Sequence, residues 1–230
     1  MRHTLIASVV VAVLVLSQAP AWAGACVADK FGGLICGEGN DALRVFPETI
    51  SPSKKFAFAW RTAKGLGNNQ YGEPSADVED DLIRIADGAI LAKLGGDYWD
   101  NGKLHPNRDQ LVAFWSADSR AVVEVKNSRW ESDAFRYYAI EGDKATTLDL
   151  RALVEPALRA KLPASQRERY VFLVRNDLPM TLDARGHLRF VAMLFEPKND
   201  PILNCRIVVD IKAGGRRSRI VSIQRIDPRL

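Results

Sequence analysis

The densest group of side chains able to carry protons or hold a cation lies in one stretch: Asp97, Asp100, His105 and Asp109. Two carboxylates three residues apart beside an imidazole could grip a hard cation. They could also act as acid and base on a glycan, with Tyr98 and Trp99 as the surface on which a sugar ring stacks. The same stretch, Gly95 to Asn107, holds the Gly, Asn and Pro of ordinary turn chemistry, and its spacing matches no calcium-loop pattern. A plain surface loop is therefore the competing reading, and no metal is assigned to it.

Three further clusters carry charge or aromatic surface. Arg216, Arg217 and Arg219, with Arg225 and Arg229 nearby, form a basic patch at the last hairpin that suits phosphate or carboxylate groups, or else guards a sheet edge against aggregation. Asp77-Val78-Glu79-Asp80-Asp81 places four carboxylates in five residues and reads as a solvated connector. Trp60 and Trp115 fall in apolar strands and are expected in the core, whereas Trp99 and Trp130 fall in turn-like segments and are candidate ligand contacts. His187 heads a strand and reads as a half-exposed turn residue. Ser51-Pro52-Ser53-Lys54 has the Ser-x-x-Lys spacing of a nucleophile motif, but the strand that follows sends Ser51 and Lys54 to opposite faces. No nucleophile elbow, zinc-binding His-Glu-x-x-His helix or phosphate-binding glycine loop occurs.

The elements that must position these residues are mostly strands. Phe56 to Trp60 is launched by a Ser-Pro-Ser turn; residues 64 to 74 are a loop by composition. Leu82 to Ile85 and Ala89 to Ala92 flank Asp87-Gly88, which predicts a two-residue hairpin. Leu111 to Trp115, Ala121 to Val125 and Phe135 to Ile140 continue a meander. Leu150, Leu153, Val154, Ala157 and Leu158 share one face at helical period, so a helix is predicted from an Asp149 cap to about Lys161, kinked or shortened by Pro156. Strands resume at Tyr170 to Val174, Leu188 to Phe195, Arg206 to Ile211 and Arg219 to Ile226. The total is about ten strands and one helix: a mainly β chain, an antiparallel twisted sheet or half-barrel of hairpins, with α+β as the alternative class.

Ser51-Pro52-Ser53-Lys54-Lys55 and Trp115-Ser116-Ala117-Asp118-Ser119-Arg120 each run straight into an apolar strand, and each is followed by an acidic-glycine turn, at Asp87-Gly88 and Gly142-Asp143. These turns resemble those of β-propeller blades over residues 50 to 150, which implies blade-like hairpin sheets. A fainter echo stands at Asp183-Ala184-Arg185-Gly186. The spacings, 65 and 67 residues, exceed the roughly 40 to 50 of a blade, so an open arrangement is expected and a closed ring is not.

Arg2 and His3 precede an apolar run from Leu5 to Leu16, and Ala21-Trp22-Ala23 gives the small-x-small pattern of a signal peptidase site. Residues 1–23 read as a cleavable secretory signal peptide and 24–230 as a single β-rich domain. The run is shorter than the roughly 20 residues that span a bilayer, so no membrane span is expected after cleavage. The destination is the periplasm or the exterior, with lipid attachment at Cys26 through a loose lipobox, Ala23-Gly24-Ala25-Cys26, as the alternative. An oxidising destination favours a disulfide, Cys26 with Cys36 being preferred over Cys36 with Cys205. Cleavage leaves 31 basic against 28 acidic residues, a net charge of +3. That excess is mild, and no Lys/Arg stripe with interleaved aromatics supports nucleic-acid binding.

Taken together the residues point to an exported cell-envelope protein, a non-catalytic binding or interaction module that uses no cofactor. Its expected partners are anionic envelope components or another envelope protein. The alternative is a weak envelope hydrolase or metal-dependent enzyme centred on Asp97, Asp100 and His105.

Overall fold

Phe56, Phe58 and Trp60 alternate with Ala57, Ala59 and Arg61, and period-two alternation sends the two sets to opposite faces of a strand. In the computed structural model this segment is a strand with the aromatics on one face and the alanines on the other, each set in its own apolar cluster. The structure describes residues 25–28, 33–39, 42–62, 78–94, 110–128, 130–196, 201–212 and 218–227. Within them it is mainly β, antiparallel throughout, with one α-helix and short 3-10 turns.

Three sheets follow one another along the chain. The first holds β1 (Val27–Ala28), β2 (Leu34–Cys36), β3 (Leu43–Val45), β4 (Phe56–Thr62), β5 (Val78–Arg84) and β6 (Ala89–Lys93), in that order. The second is a meander of β7 (Gln110–Trp115), β8 (Ala121–Asn127), β9 (Ser132–Glu141) and β10 (Lys144–Asp149). The third pairs β13 (His187–Phe195) with β14 (Pro201–Asp210), and β14 with β15 (Arg219–Arg225). Along the outer edge of β13 lie β11 (Val171–Val174) and β12 (Thr181–Leu182), which together replace a single fourth strand. Among the described residues the expected sheet thus resolves into three, and the expected ten strands become fifteen, because two- and three-residue strands such as β1 and β12 are too short to show a hydrophobic period.

The second sheet is the middle layer. Val122, Tyr138 and Ile140 pack with Phe58, Trp60 and Leu82 of the first sheet. Val123, Val125 and Phe135 pack with Phe190, Leu188 and Ile207 of the third. With both faces covered, β8 is buried from Ala121 to Lys126: Ala121, Val123 and Val125 face the third sheet, while Val122 shares the other face with the buried Glu124 and Lys126. The helix α1 (Leu150–Arg159) lays Leu150, Val154 and Leu158 into the cluster between the second and third sheets, and the Asp149 carboxylate caps it by accepting from the Ala152 amide at 2.9 Å. Pro156 lies inside, and the helix ends less than one turn later. The far face of the first sheet is covered by its own first strands: the Cys26 amide donates to the Ile85 carbonyl, and Cys26 and Cys36 are disulfide-bonded.

Two local expectations are corrected. The acidic run is no solvated connector: residues 78–81 belong to β5, with Asp80 and Asp81 only 1% and 0% exposed. The second hairpin is not a two-residue turn. It spans residues 85–88, with Gly88 left-handed at φ 67° and a bulge beside Leu82, because the Arg84 side chain clasps Asp87 and reshapes the loop.

One turn is built three times at the same place in each sheet. The Ser51 hydroxyl accepts from the Phe56 amide, the Ser116 hydroxyl from Ala121, and the Asp183 carboxylate from His187, at 3.1, 3.0 and 2.9 Å. Three residues on, Lys54, Ser119 and Gly186 donate their amides back to the carbonyls of Ser51, Ser116 and Asp183, and all three are left-handed at φ 57°, 59° and 81°. Each turn opens a long buried strand, so the three line up at one end of the stack.

Candidate functional site

Asp97, Tyr98, Trp99, Asp100, His105 and Asp109 lie outside the described residues, as do Arg216 and Arg217. Trp130 is half-buried in the connection between β8 and β9. Arg219, the other described member of the predicted set, directs Nε toward Asp210 Oδ2 at 3.7 Å. The same oxygen takes the Lys212 ammonium at 2.9 Å, which holds the Asp210 carboxyl below the usual carboxylate range. His187 stands between Asp183, 3.2 Å from Nδ1, and Asp210, 3.7 Å from Nε2. This group is an ion-pair network at the strand ends. Among the described residues no group of three His, Cys, Asp or Glu side chains is set to hold a metal.

The end of the stack that carries the repeated turns holds a cavity of about 450 Å³ between the second and third sheets. Its walls are the turns themselves: Ser116, Asp118 and Arg120 from the turn before β8, Glu141 and Gly142 from the turn after β9, and Leu182 to Ala184 with Gly186 from the turn before β13. Tyr137 and Ala139 of β9 form the floor. The volume lies in the range of small-molecule sites.

Local structure explains each wall. Asp118 is fixed by its own turn, one oxygen accepting the Ser116 hydroxyl at 2.7 Å and the Arg120 amide at 3.1 Å, and these bonds keep its carboxyl below the usual range. Asp183 does the same, accepting the His187 and Arg185 amides at 2.9 Å each, and its carboxyl is lowered by those bonds and by the nearby imidazole. Both carboxylates are therefore ionised and rigid at neutral pH. Tyr137 belongs by its ring to the apolar cluster between the sheets, at 8% exposure, while its side chain also reaches the cavity. Burial pushes its hydroxyl pKa up, and the charges of Asp118 and Glu141 push it further, so the group stays neutral.

The neighbouring seam, between the first and second sheets, is closed by the chain itself. The Ser53 amide donates to the Ser119 hydroxyl at 3.0 Å, and Trp115 Nε1 donates to the Thr49 carbonyl at 2.8 Å. Arg84, the last residue of β5, holds Asp87 through two nitrogens at 2.6 and 2.9 Å and reaches Asp143 in the second sheet. A second groove of about 390 Å³ runs along α1, but its arginines are spent internally. Arg151 and Arg159 flank Glu155 at 2.8 and 2.6 Å, and Arg159 also donates to the Arg167 carbonyl.

Sequence reasoning singled out the turns at 115–120, 142–143 and 183–186 for their likeness to the turns of β-propeller blades but assigned them no site. The missing signal was Tyr137, whose alternation within β9 marks it as core while its polar tip lies at the sheet end. No protein-family model matches the chain, and no curated protein matches it.

Proposed function

We propose that the protein is an exported, non-catalytic binding module that takes its ligand in the cavity between the second and third sheets. The observation that carries this reading is the convergence of three turns on one cavity, with a buried tyrosine as its floor. Three antiparallel sheets opened by the same turn accord with blade-like units, and turns gathered at one end of rigid strands are where binding groups are held in register. The apolar leader and the Cys26–Cys36 bond support export into an oxidising compartment.

Two measurements test this. Mass analysis of natively expressed protein should find cleavage after Ala23 and the disulfide formed; an intact leader with three reduced thiols removes the exported role. Fractionated envelope extract titrated onto isotope-labelled mature protein should shift the amides of residues 116–120, 141–142 and 182–186. Shifts confined to other surfaces would place the binding function elsewhere.

A further inference from the structure

Resting on the reading of this cavity as a ligand site, we propose that it takes the guanidinium or primary ammonium head of a small organic cation. Three carboxylates, Asp118, Glu141 and Asp183, line the space against one cation, Arg120. Asp118 and Asp183 are held by the turn bonds described above, and Glu141 makes no ion pair among the described residues. Tyr137 supplies a second, independent feature. Its side chain is over nine-tenths buried and lines the cavity, and its hydroxyl finds no hydrogen-bond partner among the described residues. The ring is buried while the hydroxyl is the part left open at the cavity, so its oxygen is available to a ligand's donor.

The first seam shows what this chemistry looks like when the chain fills it. There a guanidinium at the end of β5, that of Arg84, bridges Asp87 and Asp143 from the turns of two neighbouring sheets. At the corresponding strand end in the second sheet stands Glu141, a carboxylate, so the chain supplies no cation from that position. The rigid acids and the neutral tyrosine oxygen accept hydrogen bonds, which suits an ammonium or guanidinium donor and opposes an anion. Arg120 at the rim limits the net field without reversing it.

The test is calorimetry and amide-shift titration of the mature protein with agmatine and putrescine at low ionic strength, against xylitol as a neutral polyol and inorganic phosphate as an anion. Saturable agmatine binding that shifts residues 116–120, 141–142 and 182–186 is expected. Glu141→Gln, an exposed and conservative change, should weaken it about tenfold, and Glu48→Gln, exposed elsewhere, should leave it unchanged. Added salt should weaken the wild type more than Glu141→Gln. Agmatine binding equal in wild type and Glu141→Gln overturns the proposal. Xylitol or phosphate shifting these turns where agmatine does not overturns the cationic ligand while leaving the cavity a binding site. Silence of these turns toward all four probes and toward envelope extract overturns both.

Discussion

The Tyr138 hydroxyl donates to the Glu124 carboxylate at 2.6 Å, across two adjacent strands of the middle sheet and inside the seam with the first sheet. Both residues are within 1% of complete burial, and Arg136, 3.4 Å from the same oxygen, ties the pair to the Leu94 carbonyl at 2.9 Å. Burial pushes the Glu124 pKa up, and the Tyr138 hydroxyl and the Arg136 guanidinium oppose that shift by contacting the carboxylate.

Removing the hydroxyl leaves that acid short of a donor. Tyr138→Phe is expected to lower unfolding stability by about 1 to 3 kcal/mol, since the partner remains buried and unsatisfied. Urea denaturation of wild type and variant measures it; a change near zero would mean that Glu124 is protonated or reached by water.

Asp81 should make stability depend on pH. Its oxygens accept no hydrogen bond and meet Arg61 Nε at 3.5 Å, so burial pushes its pKa up to about 6 from the ordinary 3.8. A raised carboxyl pKa means that the folded state favours the proton. The associated stability is present below about pH 4 and is lost as the pH rises through 6. The Asp81→Asn variant should escape this loss, gaining about 2 to 3 kcal/mol on wild type between pH 4 and pH 7. Parallel curves for the two proteins across that window would refute the assignment.

The repeated turn gives a paired test of backbone strain. At Gly186 an added Cβ would stand 2.2 Å from the Ile211 carbonyl oxygen at a left-handed φ of 81°. Gly186→Ala should therefore cost more than about 2 kcal/mol. At Lys54, φ 57° already strains an exposed side chain, so Lys54→Gly should be neutral or stabilising by about 0.5 to 1 kcal/mol. Opposite signs in chemical denaturation are the expected outcome; equal losses would show that the three turns are not equivalent.

Thiol chemistry separates the cysteines. Cys205 is buried and burial raises its pKa, so native protein should react slowly with a thiol reagent and unfolded protein should yield one thiol per chain. Reducing Cys26–Cys36, a bond across ten positions, should cost about 2 to 3 kcal/mol. Three rapidly reacting thiols in native protein would contradict both assignments.

The cavity was hidden from linear reading for a specific reason. Ser116 to Arg120, Glu141 and Asp183 to Gly186 each look like turn residues in isolation, and turn residues are common. What makes them a site is that β8 and β13 begin, and β9 ends, at one cavity between adjacent sheets. The acidic run of β5 failed for a similar reason: Asp80 and Asp81 look solvated in isolation, but they lie in a strand paired by β4 on one side and β6 on the other, and there they are buried.

The sequence alone determined what local forces decide. Period-two alternation made Phe56–Trp60 a strand, helical spacing and an Asp149 cap made α1, and the short span between Cys26 and Cys36 favoured their bond. The splitting of the strands into three sheets, the burial of Asp81 and Glu124, and the meeting of Tyr137 with Asp118 and Asp183 were decided only in the tertiary structure. Such contacts depend on which faces of distant strands are desolvated together, and that is a property of packing rather than of any stretch of chain.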